Sequence, residues 1–302
     1  MPKTATIMTP SPYRVMSTHK KDAHIIDLNS NQTLTAHLRR STRPVCGDYV
    51  ELDQFQNNST RIARILPRKN HFARADRNGE PQIIAANIDC NIIVVAVQPE
   101  PTRDLINRYL VASHHCGITP LLVFNKTDLD PDFFSRTQAK YQKLGYRTFA
   151  LSAKQPETVQ PLLDTLHDKT SIFVGQSGVG KSSLSRIILQ DDTLKTGALS
   201  QKTGKGAHVT SVTRLYRLPE SNGFLIDSPG VWEYGLWRMS AQEIAAGFID
   251  FHPFLGQCKF NDCSHLHEPD CAIRTAVKTG LIEPDRYQSY TRIVESMKHH
   301  ER

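Results

Sequence analysis

Gly175-Gln176-Ser177-Gly178-Val179-Gly180-Lys181-Ser182 fits the pattern G-x-x-x-x-G-K-[ST] at every fixed position. Its flanks agree with it. Ser171-Ile172-Phe173-Val174 reads as a short buried strand, and beyond Lys181 the apolar residues Leu184, Ile187 and Ile188 keep helical spacing. A strand, a glycine-rich turn and a helix N-terminus make an anion site, because free backbone N–H groups point inward and the helix dipole favours negative charge. Gly175, Gln176, Ser177, Gly178, Val179 and Gly180 are therefore the expected phosphate cradle. Lys181 should reach the outer phosphates and the Ser182 hydroxyl should hold Mg²⁺, with Ser183 completing the contacts.

Upstream, strand and helix signals alternate. Asn91–Val97 is a continuous apolar run, typical of a strand covered on both faces. Leu105, Ile106, Tyr109 and Leu110 form a helical stripe, and Pro120–Phe124 is the next buried strand. A helix around residues 132–144, a strand at Arg147–Leu151 and a helix through Leu162, Leu163 and Leu166 lead to the phosphate loop. This rhythm predicts a mainly parallel, doubly wound sheet with helices on both faces.

Asn125-Lys126-Thr127-Asp128 follows directly on one of those strands, where open α/β sheets bind ligands. N-x-x-D spacing with an intervening lysine suits guanine. Asp128 can accept from both N1–H and N2–H, and adenine offers no such donor pair. The stem of Lys126 can lie along the base. Ser152-Ala153-Lys154 follows the next strand, where the loop touching the base edge is expected. Asp227-Ser228-Pro229-Gly230 ends the strand Phe224–Ile226, placing a carboxylate for Mg²⁺ and the Gly230 N–H for the γ-phosphate. Between them Gly204–Thr210 is a glycine-rich loop bearing a threonine, as in a switch that orders on Mg²⁺ and γ-phosphate.

The order of these motifs is cyclically shifted. The base-reading motif comes first, then the base-edge loop, phosphate loop, switch threonine and D-x-x-G, so the domain is a circularly permuted P-loop GTPase. Val231 follows the D-x-x-G motif, where a glutamine often orients the attacking water. Valine cannot do this. His208, two residues before Thr210, is the local candidate, and intrinsic hydrolysis should be slow until a partner orders the loop. A nucleotide-sensing module without catalysis is the competing reading. A nucleotide kinase conflicts with the guanine motif.

Cys258, Cys263, His265 and Cys271 stand in C-x₄-C-x-H-x₅-C spacing. Three thiolates and one imidazole suit a closed, structural tetrahedral Zn²⁺ site. His252 and His267 lie near it without fitting the spacing. A final helix carries Arg286, Tyr287, Tyr290, Ile293, Val294 and Met297 as a core-facing stripe.

The N-terminal third differs in kind. Residues 1–21, with three prolines and no acid, read as a disordered basic tail. Residues 22–84 hold short β-like runs separated by turn residues, which predicts a small barrel, an OB-fold or an SH3-like barrel. The GTPase domain should then span 85–250 and the zinc-binding, mostly helical domain 251–302. Of the net charge of +7, residues 1–90 hold +5, from 13 Lys/Arg and 8 Asp/Glu, and six of those cations lie within Arg61–Arg77. Such a stretch suits a polyanion. No run approaches membrane-spanning length, no secretory h-region is present, and six cysteines without a framework fit a reducing cytoplasm.

From about residue 22 to the end, the motifs in this order resemble the bacterial ribosome small-subunit-dependent GTPase A family. Gly47-Asp48, Leu66-Pro67-Arg68, Ala85–Asp89 and Glu268-Pro269 add to the likeness. The resemblance implies an OB-fold, a permuted GTPase and a zinc domain. It implies GTP hydrolysis to GDP stimulated by the small ribosomal subunit late in its maturation, rRNA binding, a cytoplasmic location and a monomer. It assigns nucleotide and Mg²⁺ roles to Asn125, Lys126, Asp128, Lys181, Ser182, Thr210 and Asp227, and zinc to the four C-terminal ligands. His208 matches a histidine proposed to assist hydrolysis. The family reads His-Thr-Thr where this chain has His208-Val209-Thr210, which leaves Thr210 and Ser211 as alternative Mg²⁺ ligands.

Overall fold

The computed structural model describes residues 12–55, 59–76, 79–191, 213–219, 221–227 and 236–298. Alternating apolar and polar residues give five strands first: β1 (Tyr13–Thr18), β2 (Asp22–Asp27), β3 (Thr33–His37), β4 (Tyr49–Phe55) and β5 (Ser59–Ile65). They close into a barrel in the order β1-β2-β3-β5-β4, with β1 also paired to β4. Val15, Ala23, Ile25, Ala36, Val50 and Ile62 fill its interior. The five-stranded closure agrees with the expected OB-fold.

Two expectations change here. Tyr13–Thr18 is not tail but the strand that closes the barrel, with Val15 and Arg14 buried. Its composition looks tail-like because one inward valine and one buried arginine make no apolar pattern. Residues 1–11 of that predicted tail lie outside the described residues. Four of the six cations in the predicted basic stretch Arg61–Arg77 are paired with acids, and Arg77 lies outside the described residues. Arg61 pairs with Asp53, Arg64 with Glu51, Arg68 with the buried Asp48, and Lys69 with Asp89. These pairs cross between strands and turns, so the acids lie outside the run, 8 to 20 residues from their partners.

Beyond the barrel, β6 (His71–Ala75) and β7 (Pro81–Ala86) form a separate hairpin. The chain then enters β8 (Cys90–Ala96), buried at every residue, followed by α1 (Leu105–His115), β9 (Thr119–Asn125), α2 (Ser135–Lys143), β10 (Arg147–Ala150) and α3 (Gln160–Leu166). β11 (Thr170–Val174) and α4 (Lys181–Leu189) flank the phosphate loop, and β12 (Arg214–Arg217) and β13 (Phe224–Asp227) complete a sheet ordered β10-β9-β8-β11-β13-β12. Among the described strands of this sheet, only β12, at one edge, runs antiparallel.

Period-two alternation splits the sheet's apolar residues between two cores. Ile93, Val95, Leu122, Phe124, Ile172 and Val174 pack with Leu105, Tyr109 and Leu110 of α1 on one face. Ile92, Val94, Leu121, Val123 and Phe173 pack with Leu162 and Leu166 of α3 and Leu184 and Ile188 of α4 on the other. Because β9, β10, β11 and β13 run parallel, the loops after β9, β10 and β11 and the Asp227 end of β13 lie at one edge of the sheet, where the motifs stand.

The C-terminal body contains α5 (Ala241–Ala246), a 3₁₀ turn at Ile249–Phe254, α6 (Ala272–Lys278) and α7 (Pro284–Lys298). The stripe on α7 is core, as predicted: Tyr290, Ile293, Val294 and Met297 are buried, together with Leu236, Trp237 and Phe248. That core begins by residue 236, ahead of the predicted division at 251. It is joined to α1 by polar contacts. Arg292 grips Asp104 with two hydrogen bonds of 2.7 and 2.6 Å, Ser289 accepts from Asn107 at 2.6 Å, and buried Arg286 bonds Asp250 and Asn107.

Candidate functional site

Glycine is required twice in the phosphate loop. Gly175 has φ +143°, and a Cβ there would lie 2.2 Å from the Val94 carbonyl oxygen. Gly180, at the N-cap of α4, has φ +98°, and its Cβ would meet the Asn125 amide at 2.3 Å. Side chains at either position would strain the backbone and collide with β8 or the β9 loop. Tyr109 of α1 is wholly buried, close to the Gly175 backbone.

The base and phosphate loops are tied together directly. Asn125 Nδ2 donates to the Val179 carbonyl at 2.7 Å, and its Oδ1 accepts from the Ala153 amide at 3.3 Å. Lys126, at φ 63°, donates to the carbonyls of Gly178 at 2.7 Å and Gln98 at 2.5 Å. Asp128 accepts from the Ser152 hydroxyl at 2.5 Å and pairs with Lys154 at 3.0 Å. These two donors hold its carboxyl below the usual range. Thr158 receives the Ser152 amide at 2.9 Å and so steadies the base-edge loop. Asn125, Lys126, Asp128, Ser152 and Ala153 thus stand together with the phosphate loop, as their order in sequence alone could not require.

Lys181 donates to the carbonyls of Gly175 and Gln176, each at 2.7 Å, folding its stem over the loop. Burial lowers its pKa to about 8, with Asp227 opposing the shift. Burial likewise raises Asp227, with Lys181 opposing. A half-buried cation and carboxylate beside a helix N-terminus suit a polyanion and a hard cation. Ser182 and Ser183 are part-exposed on the first turn of α4, and Ser177 is exposed at the loop tip. His208, Thr210, its alternative Ser211, Gly230 and Val231 lie outside the described residues.

The cysteine cluster assembles at the other end of the chain. Cys258, Cys263, His265 and Cys271 offer ligand atoms all within 4.8 Å of one another. His265 Nδ1 lies 3.5 Å from both Cys258 Sγ and Cys271 Sγ, and those sulfurs are 3.9 Å apart. A tetrahedral cation with ordinary Zn–S and Zn–N bond lengths needs edges of about 3.5–3.8 Å, so the donor set fits a metal. Neither His252 nor His267 belongs to the group. Glu268, which the sequence marks only as part of a matching dipeptide, organises the turn. Its carboxylate accepts from the Ser264 amide and hydroxyl and the Leu266 and His267 amides at 2.6–3.1 Å.

Residues 65–237 match the family model described as RsgA GTPase. The chain belongs to the RsgA GTPase family. Family membership makes it a GTPase, and the permuted motif order is explained by that ancestry. A "Small ribosomal subunit biogenesis GTPase RsgA" from Chromohalobacter salexigens is 43% identical over 288 residues, covering 94% of this chain and 83% of that protein. One from Haemophilus influenzae is 47% identical over 281 residues, covering 90% and 81%. The crystal structure of YjeQ from Thermotoga maritima superposes with a TM-score of 0.75 at 27% identity, covering 94% of this chain and 97% of that one. YloQ, whose structure is titled that of a circularly permuted GTPase, shares the fold with a TM-score of 0.72 at 23% identity, covering 99% and 98%.

Proposed function

We propose that this GTPase is a maturation factor of the small ribosomal subunit, acting in the cytoplasm as a monomer and stimulated by the subunit it binds. The observation that supports it most is the joining of base loop and phosphate loop through Asn125 and Lys126, which builds one guanine-nucleotide site beside an RNA-compatible barrel. The names of the relatives supply the ribosome. Among the described residues no helix is long and apolar enough to cross a membrane.

In this reading Asp128 selects guanine, and the backbone of residues 175–180 with Lys181 holds the phosphates. Oxygen donors from Ser182, Asp227 and Thr210 or Ser211 suit Mg²⁺, which supplies charge neutralisation to the phosphates when bound. His208 positions the attacking water, since Val231 cannot.

The barrel end offers the rRNA surface. Lys20 and Lys21 follow β1, and Arg40 and Arg43 follow β3; all four are exposed and have no ion-pair partner among the described residues. The hydrogen bond from Leu38 N to the Lys21 carbonyl at 2.8 Å brings the two loops together. These cations, rather than the neutralised Arg61–Lys69 run, are the groups that meet phosphate. GTP hydrolysis should rise strongly with purified small subunits and not with large ones. Replacing the four by alanine should weaken subunit binding at least about tenfold and reduce the salt slope by about one for each phosphate no longer engaged. Turnover indifferent to every ribosomal particle would remove the ribosome from this reading.

The four C-terminal donors hold one structural Zn²⁺, leaving no open position for catalysis. Metal analysis should find one equivalent. Cys263→Ser should lose it and lower the melting temperature of the C-terminal body, because structural zinc binding is worth on the order of 10 kcal/mol in small domains. Full metal content in that variant would count against the ligand set.

A further inference from the structure

Arg14 has a relative exposure of 1%, yet its side chain is charged and reaches three separate parts of the chain. Nε donates to the Gly47 carbonyl at 3.2 Å, Nη1 to the Thr170 hydroxyl at 2.9 Å and Nη2 to the Asn87 carbonyl at 3.1 Å. The guanidinium lies 5.0 Å from the Tyr49 ring centroid and 4.8 Å from that of Phe224. Among the described residues no carboxylate pairs with it. Asp48 is engaged by both arms of Arg68, and Asp89 by Lys69 and the Thr170 amide.

A buried ion is a poor device for simply fastening a barrel to a sheet, since a packed hydrophobe of similar volume is often as stabilising. What the planar fork adds is direction, because each N–H fixes a different partner. The sheet residues it grips are telling. Thr170 opens β11, which runs into Gly175 and Lys181, and Phe224 opens β13, which ends at Asp227. At about 3.3 Å per residue, the grip is about 15 Å from the phosphate loop and about 10 Å from the carboxylate. β11 is buried at every residue, so a close-packed core carries a displacement at one end to the other.

We propose that Arg14 is a positioning residue for GTP hydrolysis: it locks the starts of β11 and β13 to the barrel and thereby sets the phosphate loop and Lys181 against Asp227. It touches no nucleotide. The proposal rests on the roles of Lys181 and Asp227 given above.

Steady-state GTP hydrolysis by the full chain tests it, at a temperature where melting curves show every variant folded. Arg14→Met should lower kcat by about 10–100-fold, the scale of sub-ångström misplacement, with KM within about threefold of the parent. Arg14→Lys keeps the charge but not the fork, and should recover only part of kcat. Thr170→Val removes one hydroxyl at constant shape and serves where Arg14→Met does not fold; its kcat should fall several-fold at unchanged KM. An unchanged kcat in folded Arg14→Met or Thr170→Val, or a loss confined to KM, overturns the proposal. Lys181→Ala run alongside separates the two readings. If it hydrolyses GTP normally, the phosphate-site reading fails and takes this one with it. If it is inactive while Arg14→Met is normal, only the positioning role falls.

Discussion

Lys181→Ala is expected to lower GTP hydrolysis by about 10²–10³-fold, the usual loss when one preorganised charge stabiliser is removed from a water-poor site. The ammonium is already desolvated: burial brings it to about 8, and it donates at 2.7 Å to two loop carbonyls. An incoming phosphate chain offers a full negative charge in place of those neutral acceptors, so the group's interaction grows on binding and again as charge develops in the transition state. Alanine removes this and leaves Asp227 facing the phosphates without its counter-charge. Arginine is a poor replacement, because a planar fork does not fit where a compact ammonium folds back on its own loop. Titration of a fluorescent GDP analogue and single-turnover hydrolysis, with a melting curve to show that the fold persists, make the check. Unchanged affinity and rate would refute the phosphate-loop assignment.

Asp128→Asn should move base preference from guanine toward xanthine. The carboxylate can accept from both guanine N1–H and N2–H, whereas an amide offers one acceptor and one donor. Xanthine, with an oxygen in place of the exocyclic amine, matches the amide. Two charge-assisted hydrogen bonds at about 1.5–3 kcal/mol each set the loss of guanine affinity at about 10²–10⁴-fold. The surroundings favour a local effect. Ser152 and Lys154 already orient the carboxylate at 2.5 and 3.0 Å, and Asn125 rather than Asp128 ties the base loop to the phosphate loop. Competition between GDP and XDP for the variant measures it, and retained guanine selectivity would show that another group reads the base.

The chemistry of the centre was legible because short-range geometry dictates it. Only glycine lacks the Cβ that would sit 2.2 Å from a neighbour at Gly175 and 2.3 Å at Gly180, and a lysine and serine must open the helix that follows. The three thiols and the imidazole were legible because four donors of metal-ligand type fall in one short stretch, and the fold brings their ligand atoms within 4.8 Å of one another. The full apolar runs of β8 and β11 announced strands covered on both faces.

What the sequence could not state depends on partners far away in it. Arg14 looked like part of a tail because its three acceptors belong to residues 33, 73 and 156 positions later. The Arg61–Arg77 stretch looked like a polyanion surface because the acids that pair with four of its six cations, Asp53, Glu51, Asp48 and Asp89, lie outside it and meet it only when the barrel closes and packs on the sheet. The bonds joining Asp104 and Asn107 to α7, across 188 and 182 residues, are of the same kind. By itself the sequence determined the elements, the glycine positions of the loop between β11 and α4 and a donor set that suits a metal, because backbone sterics and local spacing decide those. The tertiary structure alone decided which charges are free and which are spent, since a charge is neutralised by whatever the fold places within a few ångströms of it.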